Sequence, residues 1–378
     1  EVTPSGIFVN RGCGTDLWKF DLASESWENL APLPIAFGPG SSFVFSNVDN
    51  KIYATRGSNT KGFYSYNIAS NTWAALSNIP DFPRFSGAGL NLDQKGAFYH
   101  DSASGKDYVY YINTWNGTPN SGPDSGIAQR YAMMIRYNIT DNAWNTWNIL
   151  DDAPIGSVNY GSIQYNADDG MMYVFRGEGT YDLWKFDIDG GSLGVGTGGI
   201  WTGPLMVNTG GDNKGANNTL GTGSDLIWNG VTGAGGYLYV VRGGNTPHFY
   251  RYDVSSNTWG VPLANIPVNI NNDTKGTYAN GYVYMLRSGG TSEFYRYDVS
   301  ANTWTAMTSA PATMPDGATL AYNASDGYIY ATRGGWTNTF YRYDIGGNSW
   351  TTMAGVAASA SGFSSLGVGT GGRIVSDG

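Results

Sequence analysis

Few side chains in this sequence have the types and spacing that chemistry demands. His100 and His248 are the only histidines, and they stand in dissimilar contexts, so a multi-histidine metal centre is excluded by count. Cys13 is the only cysteine. Within Arg11-Gly-Cys-Gly14 it has no His or helix start nearby to generate a thiolate, so it reads as a small turn residue and not a nucleophile. The adjacent carboxylates Asp151-Asp152 and Asp168-Asp169 stand in turn contexts (Asp-Asp-Ala-Pro and Ala-Asp-Asp-Gly), which suit solvated turn residues or a loose structural calcium ion. No other cofactor is expected. Acid–base work on a glycan needs a carboxyl beside a cation in a confined place. Glu178, the one Glu directly after an Arg-Gly pair, together with Arg84 or Arg130, is the best candidate for it. Trp115, inside the segment Asn113 to Arg130, is an aromatic that could stack on a sugar ring from a long loop carried by a rigid scaffold; the same loop could equally cover the scaffold or a neighbouring subunit. Gly194-Val-Gly-Thr-Gly-Gly199 looks superficially like a phosphate loop but lacks a strand–helix frame and a downstream Lys-Ser/Thr.

The elements that must carry these residues are short strands. Of 378 residues, 55 are Gly and 55 are aromatic (13 Trp, 27 Tyr, 15 Phe). That pairing suits strands between tight turns. Charged residues make up 13%, yet the aromatic content is far above that of a disordered chain. Glycine without a three-residue period excludes collagen, and no apolar run approaches the roughly 20 residues of a membrane span. The net charge of −9 would repel a phosphate backbone, so nucleic acid is not an expected partner. The 30 acidic residues include only five Glu; carboxylates therefore belong to turns, and long amphipathic helices are not expected. A lone cysteine excludes an internal disulfide framework and a multi-thiolate zinc site, which leaves stability to packing.

One sentence of sequence recurs through the chain: an aromatic strand ending in Arg-Gly, a strand of the type Tyr-x-Tyr-Asp, then Asn-x-Trp. The clearest copy is Tyr328-Ile-Tyr-Ala-Thr-Arg-Gly-Gly335, Phe340-Tyr-Arg-Tyr-Asp-Ile345 and Asn348-Ser-Trp350. The closing residues Trp27, Trp73, Trp144, Trp201, Trp259, Trp304 and Trp350 lie 46, 71, 57, 58, 45 and 46 residues apart. Seven units of about 46 residues, each with a further upstream strand such as Gly317 to Tyr322, predict an all-β chain: a seven-bladed β-propeller of four-stranded antiparallel blades. The expected blades are 6–34 with 361–368, then 35–80, 81–154, 155–206, 207–267, 268–311 and 312–360, in one domain spanning 1–378.

The aromatic strand, the Gly pair, the Tyr-Asp, the closing Trp and the Pro that follows resemble kelch repeats, over nearly the whole chain. The copies depart from that pattern in placing Arg before the glycine in six units (Arg11, Arg56, Arg176, Arg242, Arg287, Arg333). Kelch-type propellers include copper oxidases, whose metal site needs paired His, Tyr and a crosslinking Cys; the pattern around Cys13 lacks these. Sugar mutarotases of the same type show that the scaffold can act on glycans.

Repetition separates fold from site without any alignment, because a residue present in most blades serves the blade. The Arg column, with Arg342 and Asp344 alternating onto one strand face, is expected to form buried ion pairs between blades. The Trp and Tyr columns are expected to pack blades together. At the ends, Gly6 to Arg11 aligns with a second strand whose first strand should come from Ser361 to Val368. Gly372 to Asp377, with Arg373, Ile374 and Val375, is then a spare strand that can pair with a neighbouring molecule. The start at Glu1-Val2-Thr3-Pro4 reads as a mature exported chain. Five Asn-x-Ser/Thr sequons occur, as chance predicts in so Asn- and Thr-rich a sequence. The sequence thus points to a secreted, non-enzymatic structural or adhesive unit that forms a homo-oligomer or polymer, with a glycan-binding module and a carbohydrate-active enzyme as rivals and no membrane insertion.

Overall fold

The computed structural model describes residues 6–10, 14–38, 41–58, 60–80, 95–101, 105–117, 129–144, 150–153, 162–166, 170–175, 182–188, 200–206, 223–231, 235–256, 258–260, 263–270, 274–355 and 373–376. No helix occurs among them, and therefore none is long and apolar enough to cross a membrane. The fold is a β-propeller, with six four-stranded antiparallel sheets and one five-stranded sheet. The chain divides into two compact units, Glu1–Ala36 with Thr209–Gly378, and Phe37–Asn208.

The larger unit holds four blades. The first orders Arg373–Ser376, Gly6–Asn10, Leu17–Asp21 and Ser26–Asn29. The fifth holds Asp225–Trp228, Tyr237–Val241, Phe249–Asp253 and Thr258–Trp259; the sixth, Thr274–Ala279, Tyr282–Arg287, Phe294–Asp298 and Thr303–Ala306. The seventh holds Thr319–Tyr322, Tyr328–Thr332, Phe340–Asp344 and Ser349–Thr352. First strands of successive blades lie side by side, so second strands are covered on both faces: Tyr328–Thr332 is buried at all but its first residue.

The smaller unit holds three blades. The second has Ser42–Ser46, Lys51–Thr55, Phe63–Asn67 and Thr72–Ala75. The third has Lys95–Asp101, Lys106–Gly117, Gln129–Asn138 and Ala143–Trp144, with Leu150–Ala153 also pairing to Gln129–Asn138. The fourth has Ser162–Asn166, Met171–Phe175, Asp182–Asp187 and Ile200–Met206.

Three expectations are corrected. The first strand of the first blade is Arg373–Ser376, not residues 361–368. Arg373, Ile374 and Val375 pair with Asn10, Val9 and Phe8 of the same chain, because the fully buried Gly6–Asn10 strand would otherwise leave a row of backbone groups unpaired. The segment after Asn113 is not a loop from its start. Lys106–Gly117 and Gln129–Asn138 form one hairpin in register over ten pairs, Trp115 opposite Tyr131 and Arg130 opposite Asn116. Asp151 and Asp152 lie in the strand Leu150–Ala153, which pairs Leu150 with Met134 and Ala153 with Ala132, and not in a turn.

Candidate functional site

The repeated residues form a joint between blades. In the Asn-x-Trp turn the Asn takes a left-handed conformation, with φ of 52° at Asn71, 50° at Asn142, 53° at Asn302 and 46° at Asn348, which Asn tolerates better than most side chains. Its Oδ1 accepts the hydroxyl of the Tyr five residues earlier: Tyr66 to Asn71 and Tyr297 to Asn302 at 2.8 Å, Tyr343 to Asn348 at 2.7 Å, and Tyr137 to Asn142. The same oxygen reaches the preceding blade, accepting Ala264 N at Asn302 (2.8 Å) and Thr308 N at Asn348 (3.0 Å). The indole two residues later donates to the carbonyl of that same residue, Trp304 Nε1 to Ala264 O at 2.9 Å and Trp350 Nε1 to Thr308 O at 2.8 Å. Trp144 bonds Ser77 O and Trp27 bonds Ala354 O in the same way. Each indole also packs against the Phe of the blade before it, at 4.9–5.0 Å in Phe63–Trp144, Phe249–Trp304, Phe294–Trp350 and Phe340–Trp27. Trp27, Trp144, Trp304 and Trp350 are therefore bolts that each hold one blade to the next.

The Asp column differs from expectation. Asp344 Oδ1 accepts the amides of Gly346 and Gly347, and Asp298 Oδ1 those of Ser300 and Ala301. An Asp that begins a turn finds donors two and three residues on without desolvating a cation. The Ala301 amide, followed by the Ser300 hydroxyl, holds the Asp298 carboxyl below its ordinary range. The arginines go elsewhere. Arg342 stacks 4.5 Å from the centre of Tyr328 and pairs with Glu25 of the first blade. Arg296, Arg251 and Arg136 stack likewise on Tyr282, Tyr237 and Tyr108 at 4.5, 4.3 and 4.6 Å. Of the arginines preceding glycine, Arg287 pairs with Glu293 at 2.5 Å and Arg333 Nε donates to Thr313 O at 2.9 Å. Arg242 is buried and Arg56 half-buried.

The first and fourth blades carry Lys19 and Lys185 at the Arg position, and only the second has no cation there. In the second blade Lys51 stands where the sister blades have the stacked Tyr, and Ser65 where they have Arg (register Tyr53 with Ser65 and Lys51 with Asn67, against Tyr330 with Arg342 and Tyr328 with Asp344). The cation has moved to the neighbouring strand, where Lys51 Nζ lies 3.0 Å from Asp49 Oδ2. Asp49 also accepts the Tyr53 hydroxyl at 2.8 Å; burial, then that bond, holds the phenol far above its usual range. The missing Arg leaves a recess of about 390 Å³ between the second and third blades, with Ser65, Asn67, Leu76, Tyr137, Ile139 and Asn142 in its wall. Aligning the repeats in the sequence shows the Arg-to-Ser change; that it opens a cavity needs the neighbouring blade.

Most of the candidates named from sequence fall outside what the structure describes. Trp115 and Arg130 lie on paired strands of the third blade, but their side chains, like those of Arg373, Ile374, Val375 and Trp201, lie outside the described residues. So do Arg11, Cys13, Arg84, Asp168, Asp169, Arg176, Glu178 and the 194–199 glycine run. His100 Nδ1 sits 2.6 Å from Asp107 Oδ1 and His248 Nδ1 3.3 Å from Asn265 Oδ1, each a local pair. Among the described residues no three His, Cys, Asp or Glu side chains converge as metal ligands would.

No known protein family matches this sequence, and no curated protein sequence does. Among solved structures, an oxidase shares the fold. A fungal alcohol oxidase of the AA5 family, solved with copper, superposes with a TM-score of 0.54 at 12% identity, over 86% of this chain and 64% of that one. A chain of the mitotic checkpoint complex aligns at a TM-score of 0.48 and 12% identity, over 84% of this chain and 77% of that one. At 12% identity the likeness to the oxidase concerns the fold alone.

Proposed function

We propose that this protein is a non-enzymatic, extracellular structural or adhesive unit, built on a kelch-like variant repeat, which assembles with copies of itself. The observation that carries this reading is the character of the blade edges. The outermost strands Thr72–Ala75, Thr303–Ala306 and Ser349–Thr352 read Thr-Trp-Ala-Ala, Thr-Trp-Thr-Ala and Ser-Trp-Thr-Thr, with every residue except the Trp exposed. Each pairs on one side only, and none carries the Lys, Glu or Pro with which soluble sheets usually block edge-to-edge pairing. Four residues pair weakly alone. Adjacent edges of the sixth and seventh blades, acting together, multiply that weak pairing. The small share of charged residues, 13%, leaves few side chains to block contact between edges, and the commitment of repeated Trp, Tyr and Asn side chains to blade joints supports a mechanical role. With Arg373–Ser376 paired inside the chain, the contact between copies belongs to these edges and not to a spare terminal strand.

The test is a Thr305→Lys, Thr351→Lys double variant, which charges both exposed edges at corresponding register positions. Light scattering and negative-stain microscopy of wild type should show oligomers growing with concentration, and the variant should stay monomeric. A wild type that remains monomeric throughout, or a variant that assembles equally, defeats the reading.

A further inference from the structure

The recess in the second blade differs from every feature that the repeat explains. In the third, fifth, sixth and seventh blades the corresponding Arg fills the groove by lying on its Tyr. In the first blade Lys19 does so by crossing Gly6, where even a Cβ would come within 2.7 Å of its Cε. The second blade alone among these carries a short residue, Ser65, at that position. We infer that this recess is a binding site for a single neutral pyranose residue of a glycan.

The lining decides the ligand class. At about 390 Å³ the space lies at the low end of small-molecule sites, roughly 300–1,000 Å³, which join an apolar surface to a few placed polar groups. Leu76 and Ile139 supply the apolar strip, suited to the C–H face of a saturated ring. Ser65, Asn67 and Asn142 supply a hydroxyl and two carboxamides from two different blades. The oxygens of both amides are already engaged, Asn67 Oδ1 by Ser70 N and Asn142 Oδ1 by the Tyr137 hydroxyl, so what these amides can offer a hydroxylated ligand is chiefly N–H donors. Three alternatives fit less well. A guanidinium would lose the Tyr face that holds it in sister blades and meet the Lys51 ammonium instead. An anion gains little, because Lys51 is paired with Asp49 and the chain carries a net charge of −9. A flat aromatic ligand finds no parallel ring pair: Tyr53 and Tyr137 are tilted at 48° to one another.

Ligand-observed saturation-transfer NMR on the full chain, with methyl β-glucopyranoside, methyl β-galactopyranoside and methyl α-mannopyranoside as probes, tests the proposal. At least one glycoside should bind, with millimolar affinity typical of a single residue in a shallow site. Ser65→Arg, which restores the sister-blade side chain, should weaken it at least tenfold. The Lys51→Tyr, Ser65→Arg pair rebuilds the whole Tyr–Arg stack and serves where the single change disturbs folding. Trp115→Ala should leave binding intact. The proposal is overturned if none of the three glycosides binds, if binding survives in a folded Arg-filled variant, or if Trp115→Ala is the change that abolishes it. Neither the edge variant nor the assembly reading bears on these outcomes.

Discussion

Asn348 concentrates three separable effects on one side chain, which makes it the sharpest test of the blade joint. Replacing it with Ala deletes the acceptor for the Tyr343 hydroxyl at 2.7 Å and for Thr308 N at 3.0 Å, and leaves a non-Gly, non-Asn residue at φ 46°. The tyrosine bond is half-buried and contributes about 1 kcal/mol; the amide bond is exposed, water replaces part of it, and about 0.5 kcal/mol is lost. The left-handed backbone adds about 1 kcal/mol for Ala relative to Asn. Asn348→Ala should therefore cost about 2.5 kcal/mol. Asn348→Gly loses the same two bonds but not the backbone term, and pays instead about 0.5 kcal/mol in unfolded-state entropy, for a total of about 2 kcal/mol. Asn348→Asp keeps an acceptor and tolerates the conformation, so it should stay within about 0.5 kcal/mol of wild type. Urea denaturation followed by tryptophan fluorescence measures the series. Because Asn348 and Trp350 grip the N–H and C=O of the same residue, Thr308, Asn348→Ala and Trp350→Phe should also couple by at least about 0.5 kcal/mol in a double-mutant cycle. Equal stabilities for the Ala and Asp variants, or strict additivity with Trp350→Phe, would refute the clamp.

Three further outcomes follow from the same geometry. Trp336 is 40% exposed at φ 60°, a conformation its sister positions reach with Asn245 and Gly290. Trp336→Asn should raise stability by about 0.5 kcal/mol by removing the strain of a bulky residue there, and a loss above about 1 kcal/mol in thermal unfolding would show that the indole is held by contacts worth more than its strain. Deleting residues 373–378 strips the pairing partner from the fully buried Gly6–Asn10 strand; about four ladder hydrogen bonds at about 1 kcal/mol each predict a clear fall in the denaturation midpoint, and an unchanged midpoint would contradict the internal pairing. Burial pushes the Tyr137, Tyr297 and Tyr343 hydroxyls from 10.0 to about 12. The unfolded chain therefore ionises first: this stability is whole below pH 10 and is lost as pH rises towards 12. A spectrophotometric titration compared with Tyr137→Phe, Tyr297→Phe and Tyr343→Phe variants should show these three hydroxyls ionising together with unfolding, and their ionisation near pH 10 in a chain that stays folded would contradict the burial.

Much of the blade was legible in the sequence because its determinants are local. Alternation in Tyr328–Thr332 and Phe340–Asp344 and the turn chemistry of Asn348-Ser-Trp350 act over a few residues, and their recurrence marked the strands without any knowledge of neighbours. The periodicity also pointed to packing between blades for the closing tryptophans, which Trp27, Trp144, Trp304 and Trp350 display. Three things were decided only in three dimensions. Which terminal segment completes the first blade depends on which can reach and cover Ile7 and Val9 in register, a competition between two plausible strands that local pattern does not resolve. Where Arg342 and Asp344 send their charges depends on the turn amides of Gly346 and Gly347 and on Glu25 from a distant part of the chain, so sharing a strand face did not make them a pair. The recess beside Ser65 is an absence that becomes a cavity only when the third blade supplies Tyr137, Ile139 and Asn142 as its other wall. The sequence by itself thus determined the repeating unit, since hydrogen-bonding and side-chain periodicity are properties of short segments. The tertiary structure decided closure, charge pairing and the candidate site, since each is set where one blade meets the next.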